Sequence, residues 1–482
     1  MLKRILKWVG ITAALITVVG AILHFGFGLQ PVVYGGGRVG LAFVDSAESQ
    51  ASTVEEHRQA QRQQEPATPA TAPEPTATPE TATASAAAPT NNWTPDWAFF
   101  RGPRWDGHYT ARPLNVAWGT RPLTPVWKQP VGGGYASFVT ARLGDLSLAF
   151  TIEQRGRQEV VAAYDVATGR ERWTAKWDAE FKEFMGGDGP RATPTFHDGR
   201  LYALGAEGEL RALDAATGAT LWRTNILSDA GASNLQWGMS ASPLIVDDTV
   251  VTIPGGSRGR SLIAYNRLTG ARAWSAGDDG QSYSSPMLVT LDGVRQILNV
   301  SAKRIMGLNP TNGAVLWEFP WVTMYDVNAG QPIVIGDNRV FMSSGYDHGA
   351  VVLEIDMNGT RGSVKEIWQN NRMKNQFASS HFHNGFIYGL DDGILACVDA
   401  NTGERKWKAG RYGHGQTVLV DGHLIIATEE GDVALVRATP DKHDELARFP
   451  VLDGKTWNHP AFSDGRLLVR NISTMAMFDL RR

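Results

Sequence analysis

One phrase recurs along the last three quarters of this chain and limits what it can fold into. An Asp or Asn is followed four residues later by Gly, and four residues after that by Trp. The copies are Asp165, Gly169, Trp173; Asp214, Gly218, Trp222; Asn266, Gly270, Trp274; Asn309, Gly313, Trp317; and Asp399, Gly403, Trp407. Weaker copies stand at Asp356 with Trp368, at Val436-Arg437 with Phe449, and at Phe478-Asp479. Successive copies lie about 38 to 52 residues apart, the length of a propeller blade rather than of a helical repeat. A unit of this kind cannot bury its apolar face alone and must stack on its neighbours.

The stretch from Ala192 to Trp222 shows the physics of one unit. Ala192 to Phe196 has an extended pattern, and Asp198-Gly199 is a strong two-residue hairpin signal because both positions require φ > 0. Leu201 to Leu204 and Leu210 to Leu213 read as second and third strands around a Gly-containing turn. Asp214 to Gly218 is a tight turn in which the carboxylate accepts backbone N–H bonds and the Gly takes the left-handed position. Trp222 then falls on a fourth, outer strand, where its ring fills the wedge between diverging blades. The first turn recurs as Asn384-Gly385, Asp421-Gly422 and Asp464-Gly465, and in looser form at Asp247-Asp248 and Asp337-Asn338.

The third strands number eight. The last copy has no outer strand after it, whereas Thr124 to Gln129, with Trp127, precedes the first full copy. The chain is therefore expected to be all-β: an eight-bladed propeller of four-stranded antiparallel blades. The ring closes by pairing the N-terminal strand with Phe478-Asp479-Leu480, which removes exposed sheet edges.

The first ninety residues are different. Leu2 to Lys7 is basic, and Trp8 to Leu29 is almost wholly apolar, with His24 its only ionisable residue. Residues 1–30 are expected to be a cytoplasmic tip and transmembrane helix, with the basic end kept inside. Residues 31–91 read as a polar and Pro/Ala/Thr-rich linker, with a frayed helix at Ser46–Gln64 and an extended Pro66–Pro89. Residues 92–482 are then a propeller held outside the cytoplasm, in a periplasm or beyond the cell, at the end of a single-pass inner-membrane anchor. The formal charge of −3 gives no sign of nucleic acid as a partner. Cys397, the one cysteine of the chain, cannot form an internal disulfide and reads as a buried thiol.

The Asp-x-x-Thr-Gly-x-x-x-Trp phrase resembles the repeat of PQQ-like propellers, the superfamily of quinoprotein alcohol dehydrogenases and of BamB-type proteins. A bacterial PQQ-like group is similar at further segments: Phe100-Arg101-Gly102-Pro103 with Asp106-Gly107, Trp237-Gly238-Met239-Ser240, Tyr325-Asp326-Val327-Asn328, Ser343-Ser344-Gly345-Tyr346, Lys374-Asn375, and Leu452-Asp453-Gly454-Lys455-Thr456-Trp457. The resemblance implies three readings. The first is a non-catalytic scaffold that binds a protein partner in the cell envelope or a polymer, attached to the membrane by its N-terminal helix. The second is a quinone- and calcium-dependent dehydrogenase oxidising an alcohol or sugar. The third is a small-molecule binder using the central channel. Dehydrogenases of the superfamily often cover their quinone with a ring of adjacent cysteines, which one cysteine cannot build, and no Cys-x-x-Cys-His is present for haem. The expectation is a scaffold with no cofactor and no catalytic or metal residues.

Polar and aromatic residues that lead into the innermost strands mark one channel mouth: Gln236, Trp237, Tyr283, Asp326, Asn328, Lys374, Asn375, Lys455 and Trp457. Aromatic and polar groups around a concavity are the usual make-up of a ligand site; the same residues could equally line a wet channel or bond to inter-blade loops. His381 and His383 share a strand face, but no spacing marks a third metal ligand. Trp93, Trp97, Phe99, Phe100 and Trp105 are expected to pack the N-terminal segment onto the propeller.

Overall fold

The computed structural model describes residues 19, 23, 28–64, 92–118 and 123–482. Among them, eight antiparallel sheets of four repeat-encoded strands stand in a ring, and two carry a fifth strand. Blade 1 is built from Val139–Leu143, Leu146–Arg155, Gln158–Asp165 and Glu171–Asp178, with Trp93–Trp97 added to its first strand. Blade 7 starts at Gln416–Val420, which also pairs in parallel with His108–Tyr109.

The local turn chemistry is as the residues demand. Asp198 and Gly199 both take positive φ, 51° and 70°, as do Asn384-Gly385, Asp421-Gly422 and Asp464-Gly465. Asp214 Oδ1 accepts the N–H groups of Ala216 and Thr217 at 3.0 and 2.9 Å. The repeated Trp and the repeated Gly meet between blades. Trp173 of blade 1 donates its indole N–H to the Ala215 carbonyl in the turn of blade 2, at 3.1 Å, and its ring covers Gly218 of that turn. Trp222 does the same to Arg267 and Gly270 one blade on, and Trp368 to Ala400 and Gly403. Each of these three Trp thus ties its blade to the next with one hydrogen bond and a large apolar contact, whereas the Trp317 indole donates to Gln296 within its own blade.

Ring closure follows the same rule. Trp127–Pro130 is the outer strand of blade 8, paired with Thr474–Met477, and the Trp127 indole reaches the Val166 carbonyl of blade 1 at 2.9 Å. The pairing lies a few residues earlier than Phe478-Asp479-Leu480. The Leu480 carbonyl is already taken by the Asn115 N–H at 2.7 Å, and Leu114 bridges Arg481.

In the segment before the propeller, a hairpin departs from the sequence expectation, while a helix stands where Ser46–Gln64 was expected to form one. Residues 65–91 and most of the apolar run up to residue 27, where the membrane helix is expected, lie outside the described residues. No helix among the described residues is long and apolar enough to cross a membrane. Leu29–Val33 (β1) and Val39–Phe43 (β2) form a hairpin, and Ala47–Gln63 (α1) is a helix capped by Ser46. Part of the stretch read as linker is therefore ordered against the propeller. Arg58 on α1 is fully buried; it donates to the Pro130 carbonyl at 2.8 Å and lies over the Tyr164 ring at 5.0 Å. The long-range partners lie more than 70 residues away, so local composition could not reveal the docking.

Candidate channel-mouth binding site

The channel is floored by the N-terminal segment. Phe99 stacks on Trp105 at 4.8 Å and 12°, and Trp105 packs against the cores of blades 3 and 4. Trp97 is buried between Tyr109 and Phe462. Arg101, with left-handed backbone, is buried beneath and donates to the carbonyls of Asp106 and Ser380 at 3.1 and 2.9 Å. His381 sits beside it, bonded to the Asp106 carbonyl and to Thr417; burial pushes its pKa well below the ordinary histidine value. The aromatic entry segment thus packs on the propeller as its residues require. Among the described residues no group of three or more His, Cys, Asp or Glu could hold a metal ion.

Above this floor lies a cavity of about 1110 Å³. Of the residues expected at the mouth, Gln236, Trp237, Tyr283 and Trp457 line it. Trp237 and Tyr283 face one another at 5.6 Å, and Trp457 packs on Phe377 at 4.6 Å. Burial raises the Tyr283 hydroxyl to about 12.

The other five expected residues do not line it. Asn328 is buried, donating to the Ser301 carbonyl at 3.1 Å and accepting from Ser344 at 2.7 Å. Asn375 is likewise buried, between the Leu390 carbonyl and the Ser380 hydroxyl. Asp326 is exposed on a turn with φ 57°. Lys374 pairs with Asp347 at 3.1 Å and Asp392 at 2.5 Å. Burial pulls its pKa down, and these carboxylates outweigh that and raise it. Lys455 points its ammonium at the carbonyls of Val33, Met185 and Gly186 at 3.0–3.3 Å, above the Trp457 ring at 4.3 Å. Burial, with Arg191 nearby, pushes it down to about 8.

Sequence reasoning missed the hairpin tip, which reaches into this mouth. Tyr34 to Arg38 line the cavity. The Gly35 N–H donates to Glu429 Oε1 at 2.6 Å, and the Gly36 N–H to Gln376 Oε1 at 3.0 Å. Glu429, whose side chain is 2% exposed, also accepts the Trp457 indole N–H at 2.8 Å. A Cβ on Gly35 would overlap the His414 ring. The run Gly35-Gly36-Gly37 between two apolar alternations was the available signal, and it was hidden by the neighbouring apolar segment.

Fold and site together define a propeller of the PQQ-like class, with a floored channel and an aromatic mouth. Residues 157–409, more than half of the chain, match the family described as outer membrane protein assembly factor BamB, and the chain belongs to that family. It is 25% identical to the outer membrane protein assembly factor BamB of Yersinia pestis over 275 residues, 54% of this chain and 66% of that protein. It is also 25% identical to the tetrathionate hydrolase of Acidithiobacillus ferrooxidans over 303 residues, 58% of this chain and 51% of that one. The matches thus span about two thirds or less of these relatives. Among solved structures, BamB from Moraxella catarrhalis aligns with a TM-score of 0.51 at 18% identity, covering 74% of this chain and 99% of that one. A europium-containing methanol dehydrogenase aligns at 0.58 and 15%, covering 78% and 89%. These last likenesses concern the fold alone.

Proposed function

We propose that this protein is a non-catalytic interaction scaffold of the cell envelope, anchored in the membrane through its N-terminal residues and binding a polypeptide partner at the aromatic channel mouth. One observation carries the reading: several charged groups at the mouth are already held by partners within the chain, while some of its rings stay open. Asp347 and Asp392 hold Lys374. Glu429 accepts Gly35 and Trp457. Lys455 is held by three carbonyls. A general base needs a free group poised near the working pH; Lys455, pushed down to about 8, is not free, because its ammonium donates to those three carbonyls. Burial lowers the His414 imidazole, which packs on Phe377. Tyr325 is 75% exposed at the same mouth, and Trp237 and Tyr346 are only partly covered. Rings of this kind favour binding by contact.

The residues present do not fit a quinone held over calcium. A calcium ion takes six to eight oxygen ligands, several of them carboxylate, and Asp347, Asp392 and Glu429 are engaged as above. Cys397, the one cysteine of the chain, is buried in blade 6 and has no second thiol in the sequence to pair with. The test is direct: purified protein mixed with pyrroloquinoline quinone and calcium is expected to retain no chromophore after gel filtration and to reduce no dye with alcohol or sugar. Stoichiometric quinone with turnover would overturn the scaffold reading.

A further inference from the structure

The hairpin tip is held in the channel mouth by groups that read the shape of a turn rather than its side chains. Glu429 and Gln376 accept the N–H groups of Gly35 and Gly36, and Lys455 donates to the Val33 carbonyl. His414 packs where a Cβ of residue 35 would stand, so this position must be glycine. The turn itself is closed by the Tyr34 N–H on the Arg38 carbonyl at 2.8 Å, and Arg38 reaches Glu430 at 3.0 Å. A buried carboxylate that accepts main-chain N–H groups is a charge-assisted contact and a strong one.

The strands behind the tip are at most half-buried. Neither strand of β1 and β2 contains a fully buried residue, and Val39, Leu41 and Phe43 on its outer face are 65%, 73% and 66% exposed. A two-stranded hairpin without a covered face is marginally stable by itself. Its seat is thus specific in geometry and weak in buried area, the combination that allows exchange.

We propose that the channel mouth is a binding site for a glycine-tipped β-turn of a polypeptide, and that Tyr34–Arg38 is its intramolecular occupant, which a partner's turn must displace. The proposal rests on the scaffold reading and adds the class of ligand and an autoinhibitory plug. A tethered occupant competes at a high effective concentration, so the intact chain binds a free turn at least about tenfold more weakly than a chain whose own turn cannot seat.

The experiment uses the full chain in detergent and a fluorescein-labelled, head-to-tail cyclised peptide of residues 29–43. Gly35→Ala chain, checked for folding by circular dichroism, is expected to raise the anisotropy of this peptide at micromolar concentration. The native chain should do so only at tenfold or higher concentration, and the same peptide carrying Gly35→Ala should bind neither. Arg38→Glu, which replaces the partner of Glu430 with a like charge and so disfavours the seated turn, serves as the second opened chain. A peptide that binds native and opened chains equally, or neither opened chain, overturns the proposal. So does hydrogen exchange in which the Gly35 and Gly36 amides open only with the whole propeller. None of these results involves quinone turnover, so failure here is distinct from failure of the scaffold reading.

Discussion

Trp127 lies opposite Met477 in an antiparallel pair that joins residues 350 positions apart and closes the ring. The Val126 N–H adds a bond to the Met477 carbonyl at 2.8 Å. Removing residues 93–130 would open this seam, expose two sheet edges and strip the floor from the channel. The truncated protein is expected to lose its cooperative thermal transition and to aggregate at micromolar concentration. A transition within a few degrees of the parent would show that closure is dispensable.

The Trp-to-Gly contact between blades predicts a difference between two glycines. Gly218 (φ 77°) lies under the Trp173 ring, whereas Gly336 (φ 61°) has open space around its missing Cβ. Gly336→Ala should cost only the left-handed strain, about 1–2 kcal/mol. Gly218→Ala must also displace an indole wedged between blades, and about 3 kcal/mol or more is expected. Urea midpoints of the two variants measure the difference directly.

Arg58 is the pin of helix α1. Its guanidinium donates to Gln129 and Pro130 and approaches Glu171 at 3.6 Å. Arg58→Ala leaves the Pro130 carbonyl without this donor, a loss of about 2–4 kcal/mol confined to the docked segment. Amide exchange across Ala47–Gln63 should then rise more than tenfold with the blades unchanged. Equal protection in both proteins would mean that the helix is held by something other than Arg58.

The floor makes stability depend on acid. Burial lowers His459 to about 3 and His108 to about 4, and lowers His381 well below its ordinary value. The unfolded chain therefore binds more protons than the folded one between pH 6.5 and about 3. Stability from these groups is complete above pH 6.5 and is lost as pH falls through that window. Each histidine moved from 6.5 to about 4 or below accounts for a loss of about 3 kcal/mol from pH 7 to 4. His108→Gln should flatten the slope. Urea titrations at pH 7, 5.5 and 4 would show it, and an unchanged slope would remove His108 from the account.

Much of the propeller was legible in the residues. Asp-Gly and Asn-Gly pairs fix left-handed turns by local sterics, and a period of two sets the faces of each strand, so eight blades and the role of Trp222 follow from short stretches. The aromatic half of the mouth, Trp237, Tyr283 and Trp457, was also readable, because it stands just ahead of innermost strands. Asn328 and Asn375 looked the same in sequence. Their carbonyl and hydroxyl partners come from neighbouring strands, and only packing shows that these satisfy them in the wall.

The sequence by itself determined what each forty-to-fifty-residue unit does, since turn conformation, strand alternation and the Trp wedge depend on neighbours along the chain. Tertiary structure alone decided what fills the centre. The bond from Gly35 to Glu429 spans 394 residues, and nothing near either residue marks it. Ring closure brings both to one axis, and a glycine turn then finds a carboxylate whose burial leaves the main-chain N–H among its few available donors.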